Sequence, residues 1–252
     1  MLHSNLAALN AATSLPLPIY GFPKSRGHRT ELMEALLRRI GFWERAFHQS
    51  IGETRFVVVD TELTGLDKKK DALIALSAVR MAGARIQVGE TFYSLVNPGR
   101  GLARDNVLVH GLREMDLAHQ PTIENALQKF AEFIGEDVIV GHFVEIDLGF
   151  LKRDFTSQLK QRLNNRWIDT GRAYQWLHQQ EQQFLGGYGM GNRDGAGLNL
   201  FDLAKRYRIP IRQAHHALYD AFLAAQLWQR LVVALPDYGV RRLGDAIGIA
   251  GG

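Results

Sequence analysis

Apolar and polar positions divide the middle of the chain into runs whose spacing predicts strands first and helices afterwards. Three β-type runs follow one another, with a polar turn at Lys68–Asp71 between the first two and Gly83 between the next two. The predicted strands cover about 55–61, 72–81, 85–96, 138–141 and 166–169. The predicted helices cover about 121–133, 170–183 and 200–207, with two more after the junction at 142–151 and from about 215. This order is typical of an α+β or mixed α/β layer fold.

The two ends of the chain carry weaker patterns. Residues 1–28 are rich in proline and predict an irregular arm, whereas 30–47 have the spacing of an amphipathic helix that packs on the main domain or on a partner. Six glycines at 186–197 predict a loop. Residues 236–252 are glycine-rich and predict either a loose tail or a docked segment. The expected division is therefore 1–50 for the arm and helix, 51–235 for the main domain and 236–252 for the C-terminal tail.

The composition of the 252 residues is that of a globular protein and excludes thiol chemistry. Apolar residues make up 46% and charged residues 22%, and there is no cysteine, so any metal must be held by oxygen or imidazole. The net charge of +4 is compatible with a polyanionic partner. No run approaches the roughly 18 apolar residues of a membrane span, and no signal peptide is recognisable. A cytoplasmic protein without membrane contact is expected.

An Asp-x-Glu pair ends the first predicted strand. Side chains two residues apart on a strand point to the same face, so Asp60 and Glu62 project together from a buried run of valines. Two carboxylates so placed repel each other unless a cation lies between them. The residues alone leave two interpretations open: a metal site, or a strand that ends at Asp60 with Glu62 in solvent.

Further acids and two histidines lie at junctions between predicted elements. Asp147 falls in the first turn of a helix, where the helix dipole stabilises it with or without a metal. Asp169 is better explained as a helix cap than as a ligand. His142 precedes Asp147, and His215 precedes Asp220, by five residues, so each pair converges only if the histidine precedes the helix. Such a histidine can be structural, or can accept a proton beside a metal site.

The order of these motifs resembles that of the DEDD exonucleases. The chain carries Asp60-Thr-Glu62-Leu-Thr-Gly65, Val109-His-Gly-Leu112, Gly141-His-x4-Asp147-x2-Phe150-Leu151 and His215-x-Ala217-x2-Asp220-Ala221. The histidine of the last motif is similar to that of the DEDDh, DnaQ-like branch, which includes the proofreading exonuclease subunits of bacterial DNA polymerase III. The resemblance covers about residues 54–233.

The resemblance implies a ribonuclease H-like α/β fold, with a five-stranded mixed sheet flanked by helices and here an N-terminal helical extension. It also implies that two divalent cations are bound by four carboxylates and that one histidine is the general base. The implied ligands are Asp60, Glu62, Asp147 and Asp220, and the implied base is His215. Ligands that are all oxygen suit Mg²⁺ or Mn²⁺. The residues expected to bind substrate are Thr61, Leu63, Thr64 and His142.

The implied activity is release of nucleoside monophosphates from nucleic-acid 3′ ends, with single-stranded or frayed DNA favoured. RNA is an alternative substrate, because discrimination between the sugars depends on contacts to the 2′-OH. A non-catalytic nucleic-acid-binding or partner-binding module is a second alternative. It is motivated by Phe143, which replaces the Asn of the usual second motif, His-Asn-Ala-x-Phe-Asp, and by the added acid Glu145. Residues 1–50 are the expected site for a protein partner.

Overall fold

Five strands form a mixed sheet in the computed structural model, which describes residues 47–99, 111–184, 197–212 and 216–252. The strands are β1 (Arg55–Leu63), β2 (Leu73–Ala82), β3 (Arg85–Leu95), β4 (Val138–Gly141) and β5 (Trp167–Asp169). They lie in the order β3-β2-β1-β4-β5. The β1–β2 and β2–β3 pairs are antiparallel, and the β1–β4 and β4–β5 pairs are parallel. The predicted α/β class and its five strands are confirmed.

Helices cover both faces of this sheet. Those in the described part of the chain are α1 (Glu114–Leu117), α2 (Ile123–Ile134), α3 (Glu145–Gln158), α4 (Thr170–Phe184), α5 (Leu200–Arg206), α6 (Ala217–Ala234) and α7 (Leu243–Ala250). Short 3-10 turns lie at Ile51–Glu53 and Leu235–Tyr238. One face packs against α6, whereas α2 and α3 cover the other. The helices predicted after residue 120 are present, with most of their starts and ends within a few residues of those expected.

Alternation along β1 decides where its acids point. Val57 is fully buried in the core beneath α2 and α3. Phe56 faces the opposite side, where its ring meets Trp228 of α6 edge-on at a centroid distance of 5.4 Å. Asp60 and Glu62 continue the series that begins at Phe56, because side chains alternate in a strand. Both carboxylates therefore emerge on the side of the sheet that α6 covers.

The hairpin between β1 and β2 confirms the turn predicted at Lys68–Asp71. The side chain of Asp71 accepts a hydrogen bond from Thr64 Oγ1 at 2.9 Å. A Cβ atom on Gly65 would lie 2.5 Å from the same carboxylate, so this close approach requires glycine. Arg153 of α3 donates to the carbonyl of Asp71 at 2.8 Å. These bonds tie the chain that follows β1 to α3.

Residues 236–252 dock on the domain. The sequence had left two alternatives for this segment, a loose tail or a docked segment. α7 buries Leu243 and Ile247 and packs against α4 and β5. Gly252 exchanges two backbone hydrogen bonds with Trp167 of β5, at 3.1 and 3.2 Å. The apolar residues of this segment share one helical face, so burying them stabilises the helix despite its glycines.

Several predicted features lie outside the described residues. They are the arm and nearly all of the helix within 1–50, Val109 and His110, most of the loop at 186–197, and His215. The expected role of residues 1–50 in binding a protein partner accordingly stays a prediction. Where the structure describes the chain, no helix has the length and apolar character needed to cross a membrane.

Candidate active site

Acids from the end of β1 and the start of α6 come together in one cluster. One carboxylate oxygen from each of Asp60, Glu62 and Asp220 lies within 4.8 Å of the other two. The first two residues share a face of β1, and Asp220 lies in the first turn of α6, where the helix dipole favours a negative charge. Oxygen donors in this arrangement can hold a hard divalent cation.

Asp147 enters the site from the opposite layer of helices. It lies in the first turn of α3 and is 8% exposed. Thr61 donates two hydrogen bonds to its Oδ1 atom, from the backbone nitrogen at 3.0 Å and from Oγ1 at 2.6 Å. Burial is the main cause of the raised pKa values of Asp60 and Glu62, and the charge of Asp147 raises them further. The fourth predicted ligand is thus within electrostatic reach of β1's acids.

Ser77 connects the strand and the helix that carry the cluster, and sequence reasoning missed it. It is fully buried opposite Asp60 in the β1–β2 register. Its Oγ atom lies 2.7 Å from the carbonyl oxygen of Asp60 and 2.9 Å from that of Ala217. A single hydroxyl in a nearly all-apolar strand was the signal in the sequence, but its two partners became visible only in the folded chain.

Asp169 at the end of β5 holds two helices in place. Its Oδ2 atom accepts from the backbone nitrogen of Val144 at 2.8 Å, and its Oδ1 atom accepts from that of Arg172 at 3.0 Å. The side chain therefore caps α3 and α4 together, consistent with the capping role expected from the sequence. Because α3 carries Asp147, Asp169 also fixes the position of an acid in the candidate site.

Burial, and after it repulsion from neighbouring acids, raises the pKa values of Asp60, Glu62 and Asp147. Burial is the largest cause in each case. Repulsion from Asp147, Glu62 and Asp220 adds to it and raises the pKa of Asp60 well above its usual 3.8. The pKa of Glu62 rises from 4.5 to about 7, and that of Asp147 from 3.8 to about 6 in spite of the hydrogen bonds from Thr61. A divalent cation among the carboxylates would relieve this repulsion.

Three of the residues predicted to bind substrate lie at the end of β1, and their side chains point into the protein. Thr61 bonds to Asp147, and Thr64 bonds to Asp71. Leu63 packs, partly buried, against the hydrophobic core. Contacts of these residues to a nucleotide stay a prediction, and backbone atoms are the groups that could make them.

His142, the fourth predicted substrate contact, is also hydrogen-bonded within the protein. Its Nε2 atom lies 2.7 Å from the carbonyl oxygen of Leu198, and a carbonyl only accepts, so Nε2 carries a proton. Its Nδ1 atom lies 2.8 Å from Thr170 Oγ1. Burial lowers the pKa of His142, against the opposing effects of the Leu198 carbonyl and Asp169. The neutral ring therefore accepts a hydrogen bond from Thr170 at Nδ1.

Phe143, which replaces the usual Asn of the second motif, and the added acid Glu145 have separate structural roles. Phe143 has a φ angle of +52°, in the left-handed region that asparagine adopts more readily than phenylalanine. Its ring lies 4.4 Å from that of His142 and is 43% exposed. Glu145 forms an ion pair with Arg172 at 2.5 Å. It is therefore engaged outside the cluster of acids.

An aromatic group adjoins the acids, although no pattern in the sequence indicated it. Tyr93 of β3 stacks on His216 at a centroid distance of 5.1 Å. Burial and the charge of Glu62 raise the pKa of Tyr93 above its usual 10.0. The adjacent His215, the predicted general base, lies outside the described residues, and its role stays a prediction.

The chain is similar to known proteins in both sequence and fold. The model of the exonuclease family (RNase_T) matches residues 57–228. The DNA polymerase III subunit epsilon of Aquifex aeolicus (strain VF5) is 31% identical over 181 residues, which are 71% of this chain and 81% of that protein. The DNA polymerase III PolC-type protein of Bacillus subtilis (strain 168) is 27% identical over 197 residues, which are 78% of this chain but only 13% of that protein.

A solved structure of similar fold is E. coli Exonuclease I in complex with a dT13 oligonucleotide. The TM-score is 0.59 at 17% identity, and the match covers 74% of this chain and 42% of that one. At this identity the likeness shows the fold, which is the ribonuclease H-like fold expected from the motifs. The family match covers more than half of the chain, and the epsilon subunit matches over most of both lengths. The chain therefore belongs to the exonuclease (RNase_T) family, a family of enzymes that generally use divalent metal ions.

Proposed function

We propose that this protein is a 3′–5′ exonuclease that releases nucleoside monophosphates from DNA ends by two-metal-ion hydrolysis. The observation that carries the proposal is the cluster of carboxylate oxygens within 4.8 Å, in a chain of the exonuclease family. The preference for DNA is supported by relatives that are named as DNA polymerase III proteins.

Two divalent cations, Mg²⁺ or Mn²⁺, fit the donor set of the cluster. The donors are all carboxylates, which suit such ions. Burial, and after it repulsion from neighbouring acids, raises the pKa values of Asp60, Glu62 and Asp147, and a bound cation would oppose both effects. The residues that would hold the ions are Asp60, Glu62, Asp147 and Asp220. Bound there, the ions would lower the pKa of the attacking water and stabilise the leaving 3′ oxygen.

The remaining steps fall to the protein's own groups. His215 would take the proton of the water as general base. Thr61 orients Asp147 and favours its charged form, because a carboxylate that accepts hydrogen bonds releases its proton more readily. Ser77 keeps the start of α6 against β1. The backbone around Glu62 and the next two residues would receive the terminal nucleotide.

Digestion of a 5′-labelled single-stranded DNA oligonucleotide with Mn²⁺ tests the proposal. We expect products that shorten stepwise from the 3′ end, and no shortening when the metal is chelated. Asp60→Asn preserves the size of the side chain and removes its charge. We expect it to lower the rate at least about 100-fold, because metal ions contribute several kcal/mol to such reactions and each 1.36 kcal/mol is tenfold in rate.

Glu145→Gln is the matched control, because Glu145 is a nearby acid that pairs with Arg172 outside the cluster. This variant should cleave at nearly the native rate. Stepwise shortening that persists in Asp60→Asn would show that the proposal is wrong. So would immediate release of the 5′-labelled nucleotide without labelled products of intermediate length.

The same assay separates the alternatives. An RNA oligonucleotide of matched sequence that is shortened faster than the DNA would assign the protein as an exoribonuclease. If the native protein and Asp60→Asn both bound the oligonucleotide without cleaving it, the result would favour a binding module instead.

A further inference from the structure

We propose that Tyr93, His216 and Tyr219 form a stacking site for a base of the substrate, together with the adjoining cleft beside Arg212. The base belongs to the nucleotide that precedes the one released. The inference rests on the proposed exonuclease function and deepens it, since it assigns a second nucleotide subsite. Its occupant is the penultimate base of a single-stranded 3′ end.

The three aromatic rings form one continuous group on the surface. His216 stacks on Tyr93 at a centroid distance of 5.1 Å with 21° between the planes, and meets Tyr219 edge-on at 5.2 Å. Tyr93 is 39% exposed and Tyr219 is 45% exposed, so both present part of a ring to solvent. Proteins that bind single strands without sequence preference place such rings where successive bases stack.

The position of the group follows from the register of the sheet. Tyr93 pairs with Ser77, and Ser77 pairs with Asp60, so the three side chains form a row on the face covered by α6. His142 follows β4, on the other side of β1 in the strand order. The rings and His142, one of the residues predicted to contact the terminal nucleotide, therefore lie on opposite sides of β1. A strand whose scissile phosphate is at the acids would bring its next nucleotide to the rings.

A cleft of about 270 Å³ continues from this group along α6. Its lining includes Tyr219 and Asp220, shared with the aromatic group and the acids, and the segment that precedes α6 contributes Arg212. The volume is slightly below the roughly 300–1,000 Å³ of small-molecule pockets, so it has room for one base or sugar. The exposed guanidinium of Arg212 offers a positive charge to the phosphate that follows.

Stacking recognises the face of a base and not its identity, because every base has a π face. The site would thus strengthen binding of unpaired 3′ ends irrespective of sequence. A paired penultimate base would first have to leave its duplex, so the same contacts favour single-stranded or frayed ends.

Removing the penultimate base from the substrate tests the site without changing the protein. Two single-stranded oligonucleotides would be compared, one with thymine and one with an abasic residue at the penultimate position. Release of the terminal nucleotide is measured with Mn²⁺, and binding is measured by fluorescence anisotropy with Ca²⁺. We expect the native protein to prefer the intact oligonucleotide by about tenfold in both measurements.

Variants then assign the preference to the rings. Tyr219→Leu should bring both ratios close to one, and Tyr93→Leu should lower them, whereas Tyr219→Phe retains the ring and should retain the preference. An abasic residue far from the 3′ end should change neither measurement.

A native ratio close to one, or a native ratio that persists in both leucine variants, would overturn the subsite. Native protein that releases no nucleotide but binds the intact oligonucleotide with the expected preference would overturn the exonuclease proposal and leave the subsite standing.

Discussion

Thr61 holds Asp147 through two hydrogen bonds that end on the same carboxylate oxygen, from its backbone nitrogen at 3.0 Å and its hydroxyl at 2.6 Å. The two residues belong to β1 and α3, which lie in different layers of the fold. The bonds orient the carboxylate, and they oppose the increase in its pKa that burial causes.

Thr61→Val removes the hydroxyl and preserves the shape of the side chain. A hydrogen bond to a charged group contributes about 1.5–3 kcal/mol, so we expect kcat/KM for the labelled oligonucleotide to fall by about tenfold or more. The pKa of Asp147 should rise further, which would move the acid limb of the pH–rate profile to higher pH. Thr61→Ser retains the hydroxyl and should restore both properties. An unchanged profile in Thr61→Val would contradict the role given to this bond.

Ser77→Ala tests the link between β1 and α6. The hydroxyl has one proton and can donate to only one of the two carbonyls at a time, those of Asp60 and Ala217. We expect its loss to lower the free energy of unfolding by about 1–3 kcal/mol, because buried carbonyls lose a donor. Urea denaturation measures the change. The control is Ser157→Ala at an exposed position, which should stay within about 0.5 kcal/mol of the native protein. Equal effects of the two substitutions would argue against the link.

The raised pKa values predict how the metal-free protein responds to pH. Glu62 binds its proton more tightly in the folded state, with a pKa of about 7, than at its usual value of 4.5. Protonation of this acid therefore favours folding, and the stabilisation present below pH 4.5 is lost as the pH rises through 7.

In chelator, the melting temperature of the native protein should consequently fall more steeply between about pH 4.5 and 7 than that of Glu62→Gln, which has no carboxyl group to titrate there. Added Mn²⁺ should stabilise the native protein more at pH 7.5 than at pH 5, since ligands must lose their protons to bind it. If the melting temperatures of the native protein and of Glu62→Gln changed equally with pH across this range, Glu62 would not titrate as inferred.

Leu243→Ala tests the docking of the C-terminal segment. Leu243 is 1% exposed in α7, and truncating a buried leucine costs about 2–5 kcal/mol of unfolding free energy. Thermal or chemical unfolding measures this loss. The control is Val233→Ala, whose parent side chain is 63% exposed, and it should change stability by less than about 0.5 kcal/mol. A loose C-terminal segment would instead give two nearly neutral variants.

The sequence by itself determined the types of element, their order and the acids at their ends. The apolar run of a buried strand and the polar turn after it consist of residues adjacent in the sequence. The run of valines before Asp60 and the lysine turn after it were therefore sufficient to place β1 and its hairpin. The same period-two rule placed Asp60 and Glu62 on one face. The order of the motifs then identified the family.

Only the tertiary structure decided which polar groups meet. Ser77 with Ala217, and Tyr93 with His216, lie far apart in the sequence and come together because α6 packs across β2 and β3. Docking of 236–252 was likewise undecided in the sequence, because it depends on the surface that α4 and β5 offer. Local periodicity encodes which face of an element is buried. The partner across that face is set by packing between distant elements, and one sequence does not record that pairing.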